Sequence, residues 1–202
     1  MLHPVTNTTG EPVDQQAAAD ARAIILVEGV SDRLALEALA ARRGRHLAAE
    51  GISLIAMGGA TNIGRFLERF GPRGLDVPLA GLYDDAEEPY VRGALQRVGF
   101  DPGDTRADLE RAGFFACVDD LEDELIRAIG TDAVIELIRT RGELGPLRTL
   151  QKQPPWRGRP LDQQLRRFLG NASRKIEYSS LFVEALDLSN VPRPLDEVLA
   201  YV

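Results

Sequence analysis

An α/β fold, with a mainly parallel four-stranded sheet flanked by helices, is what this 202-residue sequence predicts. Three observations predict it. Four short apolar runs are spaced through the first two thirds of the chain, each ends in a glycine or acidic turn, and a segment of helical period follows each turn. Alternating strand and helix builds a parallel sheet covered on its faces. Right-handed crossovers then bring the carboxyl ends of all four strands to one edge.

The first run, Ala23-Ile24-Ile25-Leu26-Val27, is continuously apolar and rich in β-branched residues, as a buried strand requires. It stops at Glu28-Gly29, where Ser31 or Asp32 is placed to cap a helix through Leu34, Ala38 and Leu39. Ile52 to Met57 repeats the pattern and ends in Gly58-Gly59. A helix over Asn62 to Phe70 follows, with Ile63, Phe66, Leu67 and Phe70 on one face. The third run, Leu79 to Tyr83, leads into Asp84-Asp85-Ala86-Glu87-Glu88 and a helix over Tyr90 to Val98. The fourth, Gly113 to Val118, leads through Asp119 to Glu124 into a helix ending at Ile129. The separations are too uneven for a repeat protein.

Beyond Thr131 the strand signals fade. Helices are expected over Ala133 to Arg139, Leu161 to Leu169 and Ile176 to Leu186, with a short last one after Val191-Pro192-Arg193-Pro194. Gln153 to Pro160 is a loop by its proline and glycine content. The expected organisation is a loose tail over residues 1–21, a catalytic domain over 22–130 and a helical extension over 131–202 packed on it.

Composition bounds the function. The apolar fraction of 44% suits a soluble globular chain. No stretch approaches the roughly 20 apolar residues of a membrane span, and residues 1–20 lack the basic start and apolar run of a signal peptide. The single cysteine, Cys117, has no internal partner, so a reducing, cytoplasmic setting is expected, with Cys117 packed inside a strand. The net charge of −7 is unevenly distributed. Residues 139–175 hold ten basic side chains against Glu143 and Asp162, a net +8, which leaves −15 for the rest of the chain. Such a strip beside an acidic body suits a protein that grips phosphates with one part and binds cations with another. It would equally suit a solvated helical face.

Ligands of parallel sheets bind at the carboxyl ends of the strands. Here three strand ends are acidic: Glu28, Asp84, and the run Asp119-Asp120-Leu121-Glu122. Crowded carboxylates raise one another's pKa unless cations offset them, and hard divalent ions such as Mg²⁺ favour oxygen ligands. A lone acid at a helix start often only complements the helix dipole. Three at corresponding strand ends point instead to a metal site. Gly58-Gly59 would allow backbone to approach a phosphate, or simply make a turn. His3 and His46 have no partners at zinc spacing, and there is no Gly-x-x-x-x-Gly-Lys-Ser/Thr phosphate loop. Trp156, in a basic loop, would either stack on a base or anchor the loop.

Val27-Glu28-Gly29-Val30-Ser31-Asp32, Met57 to Asn62, Leu82-Tyr83-Asp84 and Asp120-Leu121-Glu122, in this order, resemble a Toprim domain. That Rossmann-like catalytic fold is shared by topoisomerases, bacterial primases and several nucleases. The likeness is nearest to the Toprim nuclease half of the OLD (overcoming lysogenization defect) family and covers roughly Ile24 to Leu125. It implies a Mg²⁺- or Mn²⁺-dependent nuclease, with one or two ions, that nicks or cleaves DNA or RNA.

The resemblance also implies roles. Glu28 would ligate metal or act as general acid/base, with Asp32 the second acid of the same motif. Asp84 matches the first aspartate of an Asp-x-Asp pair whose second position is Ala86 here, so Glu87 or Asp85 would have to substitute. Asp120 and Glu122 would complete metal binding. Lys175 would stand near the scissile phosphate, with Arg174 beside it. Arg65, Arg166, Arg167 and Arg174 join Gly58, Gly59 and Lys175 as candidate nucleic-acid contacts. OLD proteins carry an ATPase half, so a separate ATPase is a candidate partner, and self-assembly is left open.

Other functions remain on the sequence alone. A nick-joining or topoisomerase-like enzyme would need a tyrosine nucleophile among Tyr83, Tyr90, Tyr178 and Tyr201. A phosphoacceptor receiver would need adjacent acids after the first strand, which are absent. A degenerate Toprim module would bind nucleic acid or a partner ATPase without cleaving.

Overall fold

The computed structural model describes residues 20–202. The expected tail lies, up to residue 19, outside the described residues, as does His3. Four strands form one all-parallel sheet: β1 (Ala23–Val27), β2 (Ile52–Ala56), β3 (Leu79–Asp84) and β4 (Phe114–Cys117), in the order β2-β1-β3-β4. The fold class expected from strand–helix alternation is therefore present.

Ten α-helices occur among the described residues. Those after the strands are α1 (Val30–Arg42), α2 (Ile63–Phe70), α3 (Glu88–Arg97), α4 (Arg106–Arg111) and α5 (Leu121–Ile129). The extension contains α6 (Thr131–Thr140), α7 (Leu144–Lys152), α8 (Leu161–Leu169), α9 (Ala172–Ala185) and α10 (Arg193–Tyr201).

Alternation along β1 sorts the core into two layers. Ala23, Ile25 and Val27 face one apolar cluster, built with α1, α5 and the extension. Ile24 and Leu26 face the other, built with α2, α3 and α4. Both layers are fully buried at β1 because it is central, which is why its sequence reads as a continuous apolar run. On β3, between β1 and β4, a side chain at Gly81 would meet the Phe114 ring at 3.0 Å and Leu26 O at 3.1 Å, so glycine lets the strands approach without displacing that ring.

The extension is bound into the first layer. Helix α9 lies against α1, and α10 against β3 and β4. Arg42 of α1 donates to Val183 O at 2.5 Å and Leu186 O at 2.6 Å, which satisfies carbonyls at the end of α9. Tyr201 of α10 meets the Phe115 ring edge-on, with centroids 6.1 Å apart.

Two helices escape the sequence pattern. Helix α4 is short and is held by a capping box in which Thr105 and Asp108 exchange hydrogen bonds. Helix α7 carries Gly145-Pro146 in its first turn, a pair that reads as a loop; a proline there removes no intrahelical bond. Helix α9 also begins a turn earlier than apolar periodicity suggests, because Asn171 caps it by accepting from Arg174 N at 3.0 Å.

Candidate metal centre

The strand order sets the site. From β1 the chain steps outward to β2 and returns to β3 on β1's other side, so the order reverses between β1 and β3. Glu28 follows β1 and Asp84 ends β3, at the two lips of that switch point, and adjacent strands lie only about 5 Å apart. Glu87, on the short 3₁₀ turn Asp85–Glu87, folds back toward them. One carboxylate oxygen from each of Glu28, Asp84 and Glu87 lies within 4.8 Å of the others. The position of the missing acid, Ala86, points to solvent, and its neighbour supplies the third carboxylate.

An open cleft of about 460 Å³ adjoins these acids. Glu28, Asp32, Asp84, Asp120, Glu122 and Lys175 line it together, although they come from the ends of β1 and β3, from α1, from the start of α5 and from α9. Its wall also includes Val30, Ile176 and Ala172, apolar residues with no local signal that marks them for a site. Arg65, Arg167 and Arg174 do not line it.

Each acid is held by short-range structure. Neither Ser31 nor Asp32 is the N-cap of α1; Gly29 occupies that position, and Asp32 Oδ2 accepts from its N–H at 2.7 Å. Asp120 is the N-cap of α5 and accepts from Asp123 N at 2.8 Å, which leaves its other oxygen toward the cleft. Gly58 and Gly59 also line the cleft, and their amides are already engaged. Both donate to Glu28 O, at 2.9 and 3.1 Å, a fold-back their φ angles of +75° and +122° permit. Their contribution is to fix the residue that carries the first carboxylate. Asn62 locks the loop by donating to Met57 O at 3.0 Å and Gly58 O at 3.1 Å.

Two cations reach the acids from the extension. Lys175 Nζ donates to Glu122 Oε2 at 2.8 Å and lies 3.8 Å from Asp120 Oδ2. Arg166 lies 3.4 Å from Asp119 and 3.5 Å from Asp120. Asp119 itself adopts φ +66°, an uncommon conformation for a residue with a side chain. Arg174 goes elsewhere: it donates to Glu143 Oε1 at 3.0 and 3.1 Å and to Phe168 O at 3.1 Å, and stacks on the Phe168 ring. Its guanidinium is thus engaged by Glu143 and Phe168, away from the cleft that Lys175 lines. Arg65 lies on α2 over the Phe66 ring.

The electrostatics favour an added cation. Burial, then the neighbouring charges of Glu28, Asp120, Asp32 and Glu87, push the Asp84 carboxyl up to about 8. Burial, followed by Glu122, takes Asp32 to about 7. Glu87 is raised by burial and by Glu28. Burial opposes the charge on Lys175, but Glu122 and Asp120 more than offset this and hold its ammonium above the ordinary value. Glu87 Oε2 and Glu122 Oε1 are buried without a hydrogen-bond partner. Such oxygens lose free energy unless a donor or cation reaches them, and an all-oxygen set suits Mg²⁺ or Mn²⁺.

Residues 21–85 match the family model described as overcoming lysogenization defect protein-like, TOPRIM domain. Solved structures share the fold over 90% of this chain. The C-terminal region of the Burkholderia pseudomallei OLD protein superposes with a TM-score of 0.65 at 23% identity and 96% coverage of that chain. Two structures of the C-terminal region of the Xanthomonas campestris pv. campestris OLD protein give 0.69 at 24% identity and 0.63 at 27%, covering 92% and 94% of those chains. No curated protein matches the chain significantly. Among the described residues, no helix is long and apolar enough to cross a membrane.

Proposed function

We propose that this chain, which carries an OLD-like Toprim domain, is a divalent-metal-dependent phosphodiesterase that nicks or cleaves nucleic acid. The observation that carries the reading is the convergence of Glu28, Asp84 and Glu87 to within 4.8 Å at the switch point of a parallel sheet. These three would hold one ion. Asp32, Asp120 and Glu122, across the same cleft, would hold a second. Bound there, the ions would lower the pKa of a coordinated water and steady the leaving oxygen.

The chain's own residues prepare that chemistry. Asp84, with its carboxyl at about 8, keeps a proton near neutrality until a cation displaces it, so metal binding releases protons and strengthens as pH rises. Asp32 is oriented by the Gly29 amide. Lys175 stands at the mouth with 31% of its side chain exposed. It neutralises Glu122 before substrate arrives, and a phosphate entering the cleft would find its ammonium within reach. A nick-joining reading has less support, because no tyrosine lines the cleft.

The test is incubation with supercoiled plasmid and Mg²⁺ or Mn²⁺, beside Glu28→Ala and Asp84→Ala. Metal-dependent nicking that falls at least about 100-fold in both variants, in line with loss of a major electrostatic contribution, is expected. DNA binding without any cleavage would make the chain a binding module, and an absence of both would overturn the reading.

A further inference from the structure

A second cleft lies in the extension, about 650 Å³ in volume, and is larger than the carboxylate cleft. Gly145, Thr149, Gln153, Arg167 and Asn171 are among its lining residues, and none of the metal-site acids is. The loop over residues 153–159 starts at its wall, with Gln153 among the lining residues. That loop is rigidly held. Buried Gln164 of α8 donates from one Nε2 to both Trp156 O at 3.0 Å and Arg159 O at 2.9 Å, while its Oε1 accepts from Gln151 at 2.8 Å. A fully engaged buried amide is a costly way to hold a surface loop unless the loop's shape matters.

What the loop displays is positive. Lys152, Arg157 and Arg159 are exposed, and Arg157 and Arg159 make side-chain hydrogen bonds only to backbone carbonyls. Arg167 lies 5.9 Å from the centre of the Trp156 ring. None of these four cations has a carboxylate partner among the described residues, unlike Arg139, Arg141, Arg166, Arg174 and Lys175 of the same basic strip. Arg148 of α7 is likewise exposed with no carboxylate partner among the described residues, so the unneutralised charge of the strip lies on this loop and on the helices that flank it.

The loop and the metal site are joined by two elements. Arg166 and Arg167 are consecutive on α8, the first on Asp119 and Asp120, the second on Trp156. The start of α9 contributes Asn171 to the second cleft and Ala172 and Lys175 to the first.

We propose that the 153–159 loop and its cleft form a track for the phosphate backbone of the nucleic-acid strand that leaves the carboxylate site, with Lys152, Arg157, Arg159 and Arg167 as its cations. This rests on the nucleic-acid reading above and adds where the substrate outside the scissile bond is gripped.

The experiment compares the full chain with Lys152→Ala/Arg157→Ala/Arg159→Ala, and with Arg157→Lys/Arg159→Lys as a charge-keeping control. Gln164 clamps main-chain oxygens, so these substitutions leave the clamp in place, and circular dichroism checks the fold. Binding of a fluorescent 20-nucleotide strand is followed by anisotropy across a salt series, and hydrolysis of bis(p-nitrophenyl) phosphate, too small to reach the loop, is measured with Mn²⁺. The alanine variant is expected to bind the strand at least about tenfold more weakly. Its slope of log K against log salt should fall by about 2, at roughly 0.7 per lost phosphate contact. The lysine variant should retain binding, and hydrolysis of the small ester should be unchanged. Unchanged affinity and slope in the alanine variant would overturn the track, as would failure of the wild-type chain to bind the strand while it hydrolyses the ester. Loss of binding in the alanine variant, with no ester hydrolysis by any form, would leave the track standing and sink the metal-dependent phosphodiesterase.

Discussion

Replacing Lys175 with methionine removes the ammonium 2.8 Å from Glu122 Oε2 and keeps most of the aliphatic stem. The Glu122 side chain is 7% exposed and its other oxygen already lacks a hydrogen-bond partner, so in the variant neither oxygen has a donor. A hydrogen bond to a charged group contributes about 1.5–3 kcal/mol, and breaking a fully buried pair costs about 3–5 kcal/mol. Lys175 is about one-third exposed, which places this pair between the surface and buried cases. A loss of about 2–3 kcal/mol follows for the metal-free protein. With a urea m-value of roughly 2–3 kcal/mol/M, the unfolding midpoint should fall by about 1 M.

The assay is urea denaturation in EDTA near pH 7.5 for wild type, Lys175→Met, Glu122→Gln and the double variant. The cycle should give a coupling of at least about 1 kcal/mol, since the groups are in direct contact. Saturating Mg²⁺ should then stabilise Lys175→Met more than wild type, because a cation can take the place of the lost ammonium. A destabilisation under about 0.5 kcal/mol, with no coupling, would refute the claim that Lys175 neutralises the acidic cleft.

Two further outcomes follow from the site's charges. Asp32 and Asp84 have folded pKa values of about 7 and about 8 against an ordinary 3.8, so the folded state holds protons that the unfolded chain releases. Their contribution is therefore fully favourable below about pH 4, declines as pH rises toward 8, and is flat above; thermal melts in EDTA should show this fall, and melts in Mg²⁺ should flatten it. Glu87→Gln should weaken Mn²⁺ binding about tenfold by calorimetry, equivalent to about 1.4 kcal/mol, whereas Asp85→Asn should leave it unchanged, because Glu87 and not Asp85 joins Glu28 and Asp84. Equal effects of the two substitutions would remove the assignment of Glu87 as the substitute for the acid missing at Ala86.

Much of the fold is legible in the sequence because its signals are short-range. The apolar runs of β1 to β3 and the acidic or glycine turns behind them follow from periodicity and turn chemistry, and the all-parallel sheet follows from their alternation. The acids Glu28, Asp84, Asp120 and Glu122 could be singled out because strand ends of such a sheet share an edge. Helices α4 and α7 were less legible, since a six-residue helix carries little periodicity and Gly145-Pro146 reads as a turn.

What only the tertiary structure decided is which of these groups meet. Strand order put β1 beside β3, so Glu28 faces Asp84 across the switch point, and a 3₁₀ turn rather than residue spacing brought in Glu87. The sequence of the basic strip could not separate Lys175, which packs on Glu122, from Arg174, whose guanidinium is taken by Glu143, or from Arg157 and Arg159, which have no carboxylate at all. Neighbours 53 and 31 residues away along the chain made those choices. Local sequence determines where carboxylates and cations are placed on their elements; long-range packing decides which charges neutralise one another and which remain for a substrate.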